Sequence, residues 1–420
     1  MKEIIKNIKG TKDILPNEVE IWQYVENKIH LFFQKYGYQQ IRTPKFENTL
    51  LFNRSIGLDT DIVNKEMYSW TDQGGNNLTL KPEVTASVVR SFIQHNLGKI
   101  NHMNKLYYID SLFRRERPQK GRQRQFYQFG VEAIGSPYPE QDVEIISLAY
   151  GIYKNFGIEK MEVKINSIGS SEIRPTYLAL LKKSLQEYID DFCNSCKLRL
   201  QNNALRLFDC KNSQCQEILM EKAPYIFDSI SSDDHAHFVD ITRRLDEMDI
   251  PYVHDKSLVR GLDYYTHTTF EISSSSLGSQ DALCGGGRYN DLIQQIGGKS
   301  TPAVGFAAGV ERLILAIGGM KTLESSIDIY LITIGNEANA MASNIANELR
   351  EKNDNIVILE TLRRSMKSQM REANRCGAKH AIIIGEEELA NGMVIIKDMK
   401  TSKQVELPSS DIIKFFNSKS

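Results

Sequence analysis

The stretch FRRERPQKGRQRQFYQFGVE holds the densest concentration of reactive side chains in the chain. Its segment 114–124 carries Arg114, Arg115, Arg117, Lys120, Arg122 and Arg124 against the single anion Glu116, a net +5 in eleven residues. Cations at that density call for a polyanion. An arginine at a strand end can clamp a phosphate through parallel N–H bonds while the loop tip reaches a second polyanion such as RNA. The competing reading is a charged, exposed hairpin turn. Immediately downstream, Phe126, Gln128, Gly130 and Glu132 recur at period two and so share one face of a strand. A ring, an amide and a carboxylate so aligned can stack a base, orient a polar ligand and receive a cation. An ordinary half-buried strand with a polar face has the same pattern.

Two further groups stand out. Gly285 to Gly287, in CGGGRY, read as a turn where backbone must approach something closely, with Arg288 and Tyr289 following. Cys193 and Cys196 form CxxC, and Cys210 and Cys215 lie downstream. A four-thiolate zinc site is one reading, but the CxxxxC spacing of the second pair is less usual, and plain thiols are the favoured reading. His235 and His237 fall in an acidic, polar stretch and are expected to face solvent rather than bind metal.

These residues need a scaffold, and the chain is long enough for one. Its 420 residues are 41% hydrophobic and 25% charged, with 11 Pro and 27 Gly, which excludes disordered and fibrous classes. Net charge is -1, so a nucleic acid must be held by local basic patches. No window approaches the roughly 18 apolar residues of a membrane span, and the first residues lack a secretory pattern. Six Cys in such a length do not make a disulfide framework. The expectation is a reduced, cytoplasmic protein with no membrane partner.

After Pro16, apolar residues at Val19, Trp22, Val25, Ile29 and Phe33 predict an amphipathic helix stopped by Gly37. A β-rich segment follows at 41–46, where Pro44 implies an edge or interface. Residues 106–113 and 125–134 read as strands bracketing the basic loop, which is expected to be fully exposed. Charged helical patterns over 171–256 look like an insertion. Strand-like sequence returns at 258–272, followed by the Ser-rich and Gly-rich turns and a small-residue strand, AVGFAAG, entering the helix VERLILAI. From residue 325, IDIYLITIG, NIVILE and AIIIG alternate with helical stretches, predicting a small parallel or mixed sheet. Arg364, Lys367, Arg371 and Arg375 recur along one face of its second helix; on spacing alone a solvated face is favoured.

Taken together, these segments resemble one known family over nearly the full length. FRRERPQKGRQRQFYQFGVE and AVGFAAGVERLIL are similar to the second and third signature motifs of class II aminoacyl-tRNA synthetases, while LVRGLDYYTHTTFE and CGGGRYNDL are similar to the two motifs peculiar to the histidyl-tRNA synthetase family. The resemblance implies an α+β fold. Residues 1–320 would form an interrupted catalytic domain built on an antiparallel β-sheet with flanking helices, 171–256 its helical insertion, and 325–420 a C-terminal α/β anticodon-binding domain. It places Pro44 in a homodimer-interface motif. It also implies ligase chemistry: L-histidine and ATP give histidyl-adenylate and pyrophosphate, and histidine then passes to the 3′ end of tRNA(His).

Site residues follow from the same resemblance. Glu83, Thr85 and Gln128 match the amino-group ligands, and Glu132, Tyr264 and Tyr265 match the residues that read the imidazole. Arg114 would bind the α-phosphate and the histidine carboxylate. Arg260 would approach the α-phosphate from the opposite side, doing work that a metal ion does in related enzymes. Phe126 and Arg312 would sandwich adenine, Glu116 would meet its edge, Arg122 would hold the terminal phosphates, and Mg2+ would sit on the β- and γ-phosphates. No protein-bound metal is expected. The chain departs from the usual pattern at Asn290, where Asp is common, and at Lys81, where Arg is frequent. The alternative implied function is an inactive synthetase-like regulatory subunit of histidine biosynthesis; intact Arg114, Arg260 and Arg312 and a complete C-terminal domain argue against it.

Overall fold

The computed structural model of the chain describes residues 4–57, 60–118, 121–275, 282–318 and 327–417. Two compact units divide it, Met1–Gly319 and Met320–Ser420. The first is organised by an eight-stranded sheet and the second by a five-stranded one. Among the described residues, no helix is long and apolar enough to cross a membrane.

In chain order the first unit's strands are β1 (Gln39–Gln40), β2 (Phe46–Asn48), β3 (Tyr68–Thr71), β4 (Asn77–Leu80), β5 (Asn104–Phe113), β6 (Gln125–Ile134), β7 (Met161–Ser167), β8 (Val253–His254), β9 (Thr266–Ser274), β10 (Ala282–Arg288) and β11 (Ala303–Gly309). The large sheet runs β1-β5-β6-β11-β10-β9-β7-β8. All its inner pairings are antiparallel, and only the edge strands β1 and β8 pair in parallel. A small sheet, β2-β4-β3, stands apart. Residues 41–45, expected as strand, contain none, and pairing resumes only at Phe46.

Period-two alternation splits the large sheet into two chemically different faces. Phe129, Val131, Ala133, Phe270, Ile272, Val304 and Phe306 point into the main core. That core also takes Val25, Ile29 and Phe33 from the helix Pro16–Lys35 and Ile145, Leu148 and Ile152 from the helix Pro139–Asn155. Phe238, Ile241 and Leu245 of the helix Ser232–Glu247 join it, so that helix packs on the sheet although its sequence lies in the 171–256 stretch. Helices Arg174–Leu185, Asn194–Asn202 and Ser213–Lys222 instead pack around a second cluster with Tyr264, Tyr265 and Tyr289.

In the second unit the strands are β12 (Ile329–Thr333), β13 (Val357–Leu359), β14 (His380–Ile384), β15 (Met393–Asp398) and β16 (Gln404–Pro408), in the order β13-β12-β14-β15-β16. The first three are parallel and the last two antiparallel, a mixed sheet. Ile329 and Leu331 pack under the helix Asn336–Asn353, whereas Tyr330 and Ile332 face Ala373 of the helix Met366–Arg375. Arg364 precedes that helix and is bound to Glu360 at 2.7 Å, and Arg375 is bound to Glu372. The expected four-cation face is thus reduced to Lys367 and Arg371, which are exposed.

One buried ion pair ties the sheet to its backing helix. Arg288, at the end of β10 and 1% exposed, grips Asp142 through Nε at 3.1 Å and through a second guanidinium nitrogen. Its remaining donors reach the carbonyls of Ser136 at 2.8 Å and Tyr138 at 3.1 Å, and Asn290 Oδ1 at 3.3 Å. His237 approaches the same carboxylate at 3.3 Å, so it is half-buried and paired, while His235 is exposed. Burial alone would raise the Asp142 carboxyl, but the Arg288 charge and the hydrogen bonds from His237 and Arg288 hold it at about 2. Because that value lies below the ordinary 3.8, the pair's stabilisation is full above the unfolded value and drains as pH falls toward 2. Asp142→Asn strands a buried guanidinium and is expected to cost about 3 to 5 kcal/mol in urea unfolding, with a shallower loss of stability over that acid window.

Candidate active site

The sheet face opposite the core is built from small residues at its centre. Reading across the strands, Leu106, Glu132, Gly305, Gly287 and Thr269 form one row, and Tyr108, Gly130, Ala307, Gly285 and Glu271 the next. A β-carbon added at Gly305 would strike the Glu132 carboxylate, one at Gly130 the Tyr108 hydroxyl, and one at Gly285 the Arg260 guanidinium. The glycines therefore clear a floor. Gly285 to Gly287 are strand residues of β10, not the expected turn, because the close approach they permit is lateral, across the sheet.

Against one side of this floor lies a buried polar cluster. Glu132 is 1% exposed and accepts hydrogen bonds from Thr85 Oγ1 at 2.7 Å and from the Tyr289 hydroxyl. Its carboxyl is pushed up to about 8 by burial, despite the opposing pull of the Tyr289 and Thr85 donors. Tyr264 and Tyr265 are buried in the turn that leads into β9, with ring centroids 4.7 Å apart, and Tyr264 meets Tyr289 edge-on at 5.7 Å. The expected strand over 258–272 begins only at Thr266, which leaves these tyrosines free to curl over the floor. Glu83 is buried just before the helix Thr85–Gln94; its Oε1 accepts the Ala86 N–H at 2.8 Å, and burial raises its carboxyl. Lys81, fully buried, is bound to Asp110 and to Thr43 Oγ1 at 3.0 Å, filling a structural role with a smaller cation.

The other side is cationic. Arg114 leaves the end of β5, donates through Nε to the Pro82 carbonyl at 2.9 Å and lies 5.2 Å from the Phe126 ring centroid. Glu116 sits between Arg122 at 3.2 Å and Arg114 at 3.9 Å. The basic loop is only partly exposed: Arg115, Arg117 and Arg122 face solvent, but Arg114, Glu116 and Arg124 are half-buried. Its backbone is pinned by the Arg115 N–H to Glu66 and the Arg124 N–H to Gly10, both at 2.7 Å. Lys120 lies outside the described residues. Across the floor, Arg260 is bound to Glu271, while its Nε has no partner among the described residues. Arg312 donates to the Ala282 carbonyl at 2.6 Å; burial and then the Arg122 charge lower its guanidinium, against the pull of Glu271 and Glu116. The preceding Glu311 accepts the Tyr127 N–H at 2.9 Å, which fixes this helix to β6.

Gln128 lies on the same face, in register with Asp110 and Gly309. The residues singled out from sequence thus fall into a polar pocket and an arginine cluster on one surface. Tyr108, Glu271 and the acceptor role of Glu132 toward Tyr289 were not foreseen. Glu271 alternates with Thr269 in THTTFEISS, a signal that period two carries but that names no partner. Chemically, a buried carboxylate with hydroxyls suits a small polar cationic ligand, and the adjoining arginines suit phosphates.

Comparisons with known proteins give the family. The family model described as histidyl-tRNA synthetase matches residues 10–313, and the one described as anticodon binding domain matches 328–419. The histidine–tRNA ligase of Halothermothrix orenii is 48% identical over 412 residues, covering 97% of this chain and 98% of the relative. That of Clostridioides difficile is 44% identical, covering 98% of each. The crystal structure of apo Staphylococcus aureus histidyl-tRNA synthetase superposes with a TM-score of 0.83 at 37% identity, covering 98% of this chain and 100% of that one. With its motifs, fold and full-length relatives in agreement, the chain belongs to the histidyl-tRNA synthetase family and carries a C-terminal anticodon-binding domain.

Proposed function

We propose that the chain is an active histidine–tRNA ligase whose two half-reactions occur on the glycine floor of the large sheet. Histidine's carboxylate oxygen attacks the α-phosphorus of ATP, pyrophosphate leaves, and the acyl group of histidyl-adenylate then passes to the 3′-terminal adenosine of tRNA(His), releasing AMP. The observation that carries this reading is the buried Glu132 cluster lying beside an arginine cluster with only glycine and alanine between them. A carboxylate and a triphosphate repel each other, and such a floor lets cations hold both.

Glu83, Thr85 and Gln128 take the ammonium, while Glu132, Tyr264 and Tyr265 take the imidazole. Arg114 and Arg260 flank the α-phosphate, and charge building on its equatorial oxygens is met by guanidinium donors already in place. The unpartnered Nε of Arg260 and its ion pair with Glu271 support that role, since Glu271 holds the guanidinium at the floor. Adenine stacks between Phe126 and Arg312 with its edge toward Glu116, and Arg122 meets the terminal phosphates. Glu271, which acts electrostatically on Arg312, is the carboxylate that would face a phosphate-bound Mg2+. Mg2+ would neutralise the leaving pyrophosphate.

Arg115 and Arg117 at the loop and Lys367 and Arg371 in the second unit are exposed cations suited to the tRNA backbone. A homodimer places a second copy over Phe46 and Trp70, exposed at 51% and 41% with ring centroids 6.0 Å apart beside Pro44. The cytoplasm is the compartment in which such a ligase meets its tRNA.

Pyrophosphate exchange into ATP without tRNA tests the function: histidine alone of the twenty amino acids should support it, and Arg260→Ala should lower the rate by about 10²- to 10³-fold. Exchange with no amino acid would overturn the reading. A second expectation concerns protons. Glu132, pushed up to about 8 by burial, becomes a much stronger acceptor for an imidazole N–H once ionised, so a bound imidazole draws its carboxyl toward the carboxylate. Histidine binding should therefore release a proton near neutral pH and tighten as pH rises toward 8. Calorimetry in buffers of different ionisation enthalpy should find that release in the wild type and not in Glu132→Gln.

A further inference from the structure

Four cysteines in the helical segment between β7 and β8 converge on a single point. Cys193 caps the helix Asn194–Asn202 and Cys196 lies in its first turn; Cys210 follows the short turn Ala204–Asp209, and Cys215 lies in the first turn of the helix Ser213–Lys222. Their four Sγ atoms all lie within 4.8 Å of one another, and Cys193 and Cys210 approach to 3.9 Å. Thiolates at about 2.3 Å from a tetrahedral zinc ion stand about 3.8 Å apart, so the cluster has the dimensions of such a site. None of the four is in a disulfide. Sequence spacing disfavoured a metal here because CxxxxC is long for one knuckle, but the turn at Cys210 and the helix start at Cys215 fold those four intervening residues back on themselves.

The surroundings are those of anionic sulfur. Backbone N–H groups donate to sulfur from Cys193 to Cys215 at 3.3 Å and from Asn212 to Cys210 at 3.5 Å. Two helix N-termini point positive partial charge at the cluster. Cys196 and Cys215 are completely buried among Leu200, Leu207 and Leu219, where four neutral thiols would gain nothing from these donors. We propose that Cys193, Cys196, Cys210 and Cys215 bind a structural Zn2+ ion, in a closed four-thiolate site with no position left for substrate. Soft ligands in a tetrahedron favour zinc over harder divalent ions.

Position gives the site a second consequence. Asn203, between the two cysteine pairs, reaches the loop that carries Arg260 and the tyrosines, its Nδ2 donating to Asp263 Oδ1 at 3.0 Å, and Arg206 binds Asp61 of a separate segment at 3.1 Å. Zinc would hold that brace in place. This consequence rests on the role assigned to Arg260 above, whereas metal content does not.

The full chain, grown with zinc and purified under reducing conditions without chelator, should contain one zinc per chain by elemental analysis. Protein grown with Co2+ should show the ligand-field and sulfur charge-transfer bands of a tetrahedral tetrathiolate. Cys210→Ser and Cys215→Ser should each lose the metal, and Cys376→Ser, in the other unit, should keep it. If those serine variants do not fold, titrating wild-type thiols with a mercurial should release zinc in step with four sulfurs. Zinc far below one per chain, a cobalt spectrum without sulfur bands, or metal retained in the Cys210→Ser, Cys215→Ser double variant would overturn the proposal. With the metal confirmed, its removal should raise the histidine KM several-fold; an unchanged KM would reject the brace alone.

Discussion

The site depends on side chains that are missing. At the centre of the large sheet, Gly130, Gly285, Gly287 and Gly305 stand where any β-carbon would strike a neighbour. Interior packing leaves few voids larger than a water molecule, so side chains that lie flat across a sheet, as Arg260 and the Glu132 carboxylate do, need volume deleted at adjacent positions. Strand register makes those deletions neighbours: Gly305 is paired to Gly287 and flanked by Glu132, and Gly285 sits between Ala307 and Glu271. The opposite face, one residue out of phase, is filled by Phe129, Phe270 and Phe306. A one-residue slip in any of these strands would put phenylalanine into the floor and glycine into the core.

A half-buried cluster of ionisable groups is costly unless each charge has a partner, and the molecule meets that cost with specific pairs. Burial pushes the Glu132 carboxyl up to about 8, and Thr85 and Tyr289 both donate to it. Arg260 is held by Glu271, and Arg288 by Asp142. These pairs divide the labour. The Arg288 pair is almost wholly buried and locks strand to helix, whereas the Arg260 pair is more than a fifth exposed and keeps a donor nitrogen unpartnered. Between these two paired arginines, exposure separates the one that holds the fold from the one proposed to meet a ligand.

Much of this was legible because local periods carry it. The helix Pro16–Lys35, the Phe126-to-Glu132 strand face and the β–α alternation after residue 325 follow from spacing, and four motifs in order named the family. What escaped depends on contacts between segments distant in sequence. Three glycines in a row read as a turn by conformational freedom, yet they occupy a strand for the sake of space. Glu271 is an ordinary strand carboxylate until Arg260 folds onto it. Arg364 fits a helical period but is captured by Glu360 before the helix starts. The cysteine cluster failed the spacing rule because such rules assume a local knuckle, and here two helix starts converge.

Gly285→Ala tests most directly whether the missing β-carbon there is what seats Arg260 over the sheet. Backbone at Gly285 is extended, not left-handed, so alanine brings no backbone strain there; its methyl meets the end of a long side chain. The account predicts a thermal midpoint within a few degrees of wild type together with a fall in histidine-dependent pyrophosphate exchange of about 10²-fold, the loss expected when a reacting group is displaced by about 1 Å. Unaltered exchange in the folded variant would contradict it, because the space above Gly285 would then be incidental to the chemistry.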